Sequence, residues 1–320
     1  MSNEFGIFTG DQLIEGETTY QPLIEGLLYR GDKSCLAAVP KMGKSVWIQQ
    51  MAFNLTTGED FLGKYRVHGQ YNVLWLQGEV TKGEIKKRIL DMERCNKLNR
   101  GKLFHANLRG YGLQRDNHLV KLTNQLQKAG VKNIDVVIVD PLYRFLHGGN
   151  LIKDDFCIAW ANNFDKLLGM YGASAIVVHH DSEKRFVDNK GIMHKQAVDT
   201  LLGTTFWSAY FTHAFKLTKK NGKHYLNNAY QRSGDVVDQI KLKMIVPQRD
   251  KRNRLVFELQ PDDLNKVELL LLKENKLTIK EIKKKLKLKD SAVYGHIQDS
   301  DTIIKDGDYF RHQREDEREL

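Results

Sequence analysis

The chain has 320 residues, 41% hydrophobic and 28% charged, enough apolar material for one large domain and a small one without covalent staples. Its three cysteines, Cys35, Cys95 and Cys157, lie far apart with no CxxC spacing, which argues against a disulfide framework or zinc site and fits a reducing cytoplasm. No signal peptide is legible at Met1–Gly6, and no apolar run approaches the ~20 residues of a membrane span. Net charge is +10: residues 1–260 carry 37 basic against 26 acidic side chains, and residues 261–320 carry 13 against 14. An excess of that size suits a polyanion, nucleic acid or phosphates, and equally a plain basic surface.

In chain order, residues 1–32 read as an N-terminal segment. From Lys33 to Gln260, short β-type runs alternate with helical patterns. Cys35–Val39 reads as a strand and Lys44–Leu55 as the helix after it. Asn72–Gln77 is a strand, and Gly83–Asn96 a helix with Ile85, Ile89, Leu90 and Met92 on one side. Lys102–Ala106 is a short strand, and Asn117–Ala129 a helix aligning Leu119, Leu122 and Leu126. Asp135–Val139 and Ala175–Val178 are Val/Ile runs of strands buried on both faces, with a helix, Asp154–Gly172, between them. This alternation marks an α/β fold with a mainly parallel sheet and crossover helices. After Thr212 the pattern turns to hairpins: Ala214–Lys219 and Lys223–Ala229 flank Asn221-Gly222, and Lys241–Val246 precedes Arg254–Leu259, so antiparallel strands extend the sheet. Beyond Pro261 come three helical segments, Leu264–Glu274, Thr278–Leu286 and Asp290–Gln298. A hairpin about Asp306-Gly307 follows, so residues 261–320 read as a small winged helix-turn-helix domain.

The strongest motif is Ala38-Val39-Pro40-Lys41-Met42-Gly43-Lys44-Ser45, with Val46 next. It matches GxxxxGK[ST] except that Ala38 replaces the first glycine, and it sits between a predicted strand and a predicted helix, as a phosphate loop must. Backbone N–H groups and the helix N-terminus would cradle ATP phosphates, with Gly43 permitting close approach. Lys44 would reach the β/γ-phosphates, and the Ser45 hydroxyl would hold Mg²⁺. Asp135-Val-Val-Ile-Val-Asp140 reads as a Walker B strand aiming Asp140 at Mg²⁺. Glu79, just past Leu74-Trp75-Leu76-Gln77-Gly78, falls where open α/β sheets place ligand chemistry. A carboxylate there can activate water, or be only a solvated loop residue. His179 and His180 close a buried strand, where neighbours point to opposite faces. They read either as one phosphate sensor beside one packed ring, or as two structural rings.

These parts, in this order, resemble the RecA-like hexameric ATPases, and within them the plasmid and phage RepA-type replicative helicases. Thr57-Gly-Glu-Asp-Phe-Leu-Gly63 is a further marker of that resemblance, without a chemical role derivable from sequence. The resemblance implies Glu79 as catalytic base, His180 at the γ-phosphate sensor position and Arg232, in Ala229-Tyr-Gln-Arg-Ser-Gly-Asp235, as an arginine finger given to the next subunit. A Lys-x-Arg pattern common there has Tyr230 in place of the lysine. It also implies a homo-oligomeric ring, expected to be a hexamer, and single-stranded DNA in its channel, with replication proteins as further partners. The channel-facing loops would be Tyr143–Lys153, with Arg144, and Asp181–Asp199, with Lys184, Arg185, Lys190 and Lys195; flexible basic loops suit a phosphate backbone. Two other classes fit the same motifs: a recombination or repair ATPase that binds strands without processive unwinding, and an ATP-gated DNA-binding regulator. In the tail, lysines cluster at Lys280, Lys283–Lys285, Lys287 and Lys289, while Ser291–Gln298 has no Lys or Arg for base readout. DNA phosphates and protein docking fit that surface equally.

Overall fold

A computed structural model of the chain describes residues 9–15, 20–94, 96–146, 154–180, 185–187, 193–195, 205–220, 223–231, 239–245, 256–259, 267, 270, 271, 274, 276–298 and 303–312. The chain divides into two compact units, residues 1–239 with 244–258, and residues 240–243 with 259–320.

The first unit opens with a short helix, α1 (Gly10–Glu15), and an antiparallel pair, β1 (Pro22–Ile24) and β2 (Leu28–Tyr29). Leu23, Ile24, Leu27 and Leu28 of this pair are buried. Then strands and helices alternate: β3 (Lys33–Ala38), α2 (Lys44–Thr57), β4 (Val73–Gln77), α3 (Lys82–Met92), β5 (Leu103–Asn107), α4 (Asp116–Lys128), β6 (Val136–Asp140), α5 (Asp154–Tyr171) and β7 (Ser174–His180). A two-stranded sheet, β8 (Arg185–Val187) with β9 (Met193–Lys195), and helix α6 (Thr205–Tyr210) follow. Strands β10 (His213–Lys220), β11 (Lys223–Gln231), β12 (Gln239–Ile245) and β13 (Val256–Leu259) complete the main sheet.

That sheet has nine strands in the order β13-β12-β11-β10-β3-β7-β6-β4-β5. From β10 to β5 every pairing is parallel, and β11 runs antiparallel to β10. Strand β7 lies between β3 and β6, so the first strand of the alternation reaches the aspartate-bearing strand through a histidine-bearing one. The register sets Ala38 opposite His180 and Gln77 opposite Asp140, so four strands end together at one edge. The apolar runs are continuous because both faces are covered: all five residues of β4 and of β6 are buried.

Of the apolar side of helix α3 only Met92 is buried, and Leu90 is 46% exposed. The helix is set by its start, a capping box in which Thr81 and Glu84 exchange hydrogen bonds.

The second unit holds β14 (Lys276–Thr278), α7 (Ile279–Leu286), α8 (Asp290–Gln298), β15 (Ile303–Asp306) and β16 (Tyr309–His312). Its sheet order is β14-β16-β15, around a core of Val267, Leu271, Leu277, Ile282, Val293 and Phe310. Strand β14 is absent from the sequence reading: three residues are too few for a period, and their partner, β16, comes about thirty residues later. The capping box at Thr278 and Glu281 is present as read. The Asn221-Gly222 turn, the interdomain boundary at Gln260-Pro261 and most of Leu264–Glu274 lie outside the described residues.

Candidate nucleotide site

At the carboxyl edge of the sheet, β3 passes through residues 39–43 into α2. Gly43 is the cap of that helix with φ 89°, and a Cβ there would lie 2.9 Å from Met244 Sδ and 2.9 Å from Phe257 Cζ. Conformation and contact both demand glycine. Lys41 also takes a left-handed φ, 65°. Alternation of this kind turns backbone N–H groups into a concave anion nest, which the positive end of a 14-residue helix reinforces. Ala38 is fully buried at the end of β3 and is not among the non-glycine residues with left-handed φ (Lys41, Leu62 and Lys287 among those described). The missing first glycine is therefore conformationally unneeded. Lys44 is 7% exposed, and its Nζ donates to the carbonyls of Ala38 (2.8 Å) and Val39 (3.0 Å), which holds its charge against the loop.

The support beneath the loop explains the Thr57–Gly63 marker. Phe61 is fully buried and meets Trp47 of α2 edge-on at 4.7 Å, while Phe257 meets the same ring at 5.8 Å. Asn54 Nδ2 donates to the carbonyls of Glu59 and Asp60. Gln50 exchanges two hydrogen bonds with the backbone of Phe257, at 3.0 and 2.8 Å. The segment fixes the helix that carries Lys44 and Ser45.

Asp140 ends β6 with 2% exposure. It accepts a hydrogen bond from Gln77 Nε2 at 3.3 Å, with the Ser45 hydroxyl nearby. Burial pushes its carboxyl up to about 6; the Ser45 hydroxyl opposes this, and the nearby Glu79 charge adds to it. A buried carboxylate beside a serine hydroxyl is a hard-oxygen pair that suits Mg²⁺, whose charge would offset the desolvation. The donor set therefore fits the expected ion.

This shift has a testable sign. The folded-state value, about 6, lies above the ordinary 3.8, so the folded protein keeps a proton that the unfolded chain has already lost. Stability is then lost as pH rises from about 4 to about 6, by about 3 kcal/mol at 1.36 kcal/mol per unit. Without divalent cations, Asp140→Asn should lose that slope and melt above the wild type at pH 8. Thermal unfolding from pH 4 to 8 tests this, and parallel curves for the two proteins would contradict it.

Glu79 follows β4 through Gly78, where a Cβ would fall 2.6 Å from Arg144 Cβ. Its N–H donates to Gln77 Oε1 at 2.7 Å, and its carbonyl accepts from Arg109 Nη2. Gln77, 3% exposed, thus bridges the backbone of Glu79 and the carboxylate of Asp140. The Glu79 carboxylate accepts a hydrogen bond from the Tyr143 hydroxyl, with Arg144 Nε at 3.7 Å and His180 Nε2 at 4.0 Å. Burial, then the Lys44 charge, hold His180 below its ordinary range, so it stands neutral beside Glu79. Burial and the bond to Glu79 raise the Tyr143 phenol, which keeps it a donor.

Lys44, Ser45, Asp140, Glu79 and His180 are therefore brought together at one edge of the sheet. His179 is buried, its Nδ1 2.6 Å from the His180 carbonyl oxygen. Arg144 is differently placed from a free channel loop. Leu142–Phe145 form a short 3₁₀ turn with Leu142 and Phe145 buried, which turns Arg144 toward Glu79. Arg185 and Lys195 are register partners across β8 and β9. Arg232, Lys184 and Lys190 lie outside the described residues. Sequence reasoning missed Gln77 and Tyr143. A polar residue closing Val-Leu-Trp-Leu was the available signal for the first, and apolar Leu142, Phe145 and Leu146 around Tyr143 for the second.

The fold and this cluster define an α/β P-loop domain, in which a phosphate loop joins a parallel strand to its helix beside a second strand ending in aspartate. The AAA domain family model matches residues 8–185, more than half of the chain, and the protein belongs to that family. No curated protein matches the sequence. Among solved structures, a KaiC-like protein from the hyperthermophilic archaeon Pyrococcus horikoshii OT3 is similar at 12% identity, with a TM-score of 0.45 over 73% of this chain and 93% of that chain. Among the described residues no helix is long and apolar enough to cross a membrane.

Proposed function

We propose that the protein is a cytoplasmic, Mg²⁺- and ATP-dependent DNA helicase or translocase acting in the replication of a mobile element, with ATP hydrolysed at the subunit interfaces of a ring. The observation that carries the hydrolytic part is the meeting of Lys44, Ser45, Asp140 and Glu79 at one sheet edge. Bound Mg²⁺·ATP supplies the phosphoryl group and the ion that neutralises its charge. Lys44 and the loop N–H groups bind the phosphates, Ser45 and Asp140 hold the metal side, Glu79 takes a proton from water and neutral His180 faces the site. Arg232, from the neighbouring subunit, stabilises the transferring group. Support for DNA as partner is the basic excess of residues 1–260 and the run of basic residues Lys184, Arg185, Lys190 and Lys195 in the sequence.

The second unit favours a second reading, an ATP-gated DNA-binding regulator built on a winged helix: two helices precede a hairpin there. Its lysine cluster is partly neutralised, since Lys283 and Lys285 pair with Asp290 and Glu274. A motor should hydrolyse ATP several-fold faster with single-stranded DNA of any sequence, and displace a strand from a tailed duplex. Sequence-specific duplex binding that survives Glu79→Gln, with no stimulation by single strands, would favour the regulator.

A further inference from the structure

The carboxylate of Glu79 has three rotatable bonds behind it and is one-third exposed, so something must hold it for proton transfer to be efficient. Three groups from two elements converge on its Oε1: the Tyr143 hydroxyl, Arg144 Nε and His180 Nε2. Only the tyrosine makes a hydrogen bond; Arg144 is half exposed, and solvent screens its charge.

Tyr143 is itself well fixed. Its ring meets His180 edge-on at 5.0 Å, and the Arg144 guanidinium stands 4.9 Å from its centroid. Its backbone belongs to the 3₁₀ turn anchored by buried Leu142 and Phe145, and the Phe145 carbonyl accepts the Leu113 N–H at 3.0 Å. Gly78 lets that turn approach the end of β4. The phenol is thus a donor on a rigid mount, aimed at one oxygen of the acid.

We propose that Tyr143 is the positioning residue of Glu79: its hydroxyl ties down Oε1 and leaves Oε2 to take the proton of the attacking water. The inference rests on the reading of Glu79 as the base. In this role Tyr143 acts through the carboxylate. Loss of the hydroxyl should therefore slow turnover while nucleotide affinity stays constant.

The test is a double-mutant cycle on the full chain, with Mg²⁺ and single-stranded DNA, using steady-state and single-turnover ATP hydrolysis. Tyr143→Phe keeps the ring contacts and removes one hydrogen bond to a charged group. It should lower kcat about 10- to 100-fold with KM for ATP within about twofold. In a Glu79→Ala background, the same substitution should leave the residual rate unchanged, because the group it acts through is gone. A purely structural role would instead lower both backgrounds by the same factor, and that result overturns the proposal, as does wild-type kcat in Tyr143→Phe. Wild-type turnover in Glu79→Ala would overturn the base assignment itself, which separates the two failures.

Discussion

Glu79→Gln should bind Mg²⁺·ATP as the wild type does and turn it over about 10²- to 10⁴-fold more slowly, the range in which a positioned general base contributes. The substitution is nearly isosteric. Its amide oxygen still accepts the Tyr143 hydroxyl hydrogen bond, and the bond to Gln77 Oε1 uses the backbone N–H of residue 79, which the substitution leaves in place. What disappears is the ability to accept a proton from water. Binding is expected to persist because the phosphate loop, Lys44 and Ser45 belong to a different strand-to-helix connection, supported by Trp47, Phe61 and Phe257. Equilibrium binding beside single-turnover hydrolysis checks both halves. Wild-type turnover would move the base elsewhere, and lost binding would make Glu79 part of the phosphate site.

Arg232→Ala should bind ATP yet hydrolyse it about 10³- to 10⁵-fold more slowly, the size of effect known for arginine fingers. Lys44→Ala should fail for another reason, with its finger present and its own site empty. Mixed and allowed to exchange subunits with Mg²⁺ and single-stranded DNA, the two variants would form some interfaces pairing a sound phosphate loop with a sound finger. ATPase activity should then partly recover, although each variant alone is nearly inactive. A chain that carries all its catalytic groups within one subunit cannot show this. No recovery, in a sample whose mass shows mixed oligomers, would remove Arg232 from the site, and a monomeric wild type with ATP and DNA would remove the ring.

Much of this site is legible in sequence because its parts are local. A strand buried on both faces must be a continuous apolar run, so β4, β6 and β7 stand out, and the residue ending each run, Gln77, Asp140 or His180, falls at the sheet edge. The phosphate loop declares itself by spacing, and its departure at Ala38 costs nothing because no left-handed conformation is needed there. What stays hidden depends on contacts far apart in the chain. Gln77 bonds to Asp140 across 63 positions, and Tyr143 reaches Glu79 across 64; no periodicity encodes such pairs. Arg144 reads as a loop cation until Leu142 and Phe145 are seen to bury themselves and turn it. Helix α3 shows its apolar spacing in the sequence, but the spacing does not tell how much of that side is covered: only Met92 is buried.

Lys44 and the loop around it are expected to bind ATP for hydrolysis. Steady-state ATP turnover with Mg²⁺ and single-stranded DNA, measured for the wild type and for Lys44→Ala, tests this. The ammonium that bonds the Ala38 and Val39 carbonyls is the charge that would meet the β/γ-phosphates. The wild type should show Mg²⁺-dependent turnover and Lys44→Ala none above background, with both proteins folded. Equal rates for the two, or a wild type that never hydrolyses ATP under any DNA condition, would contradict it.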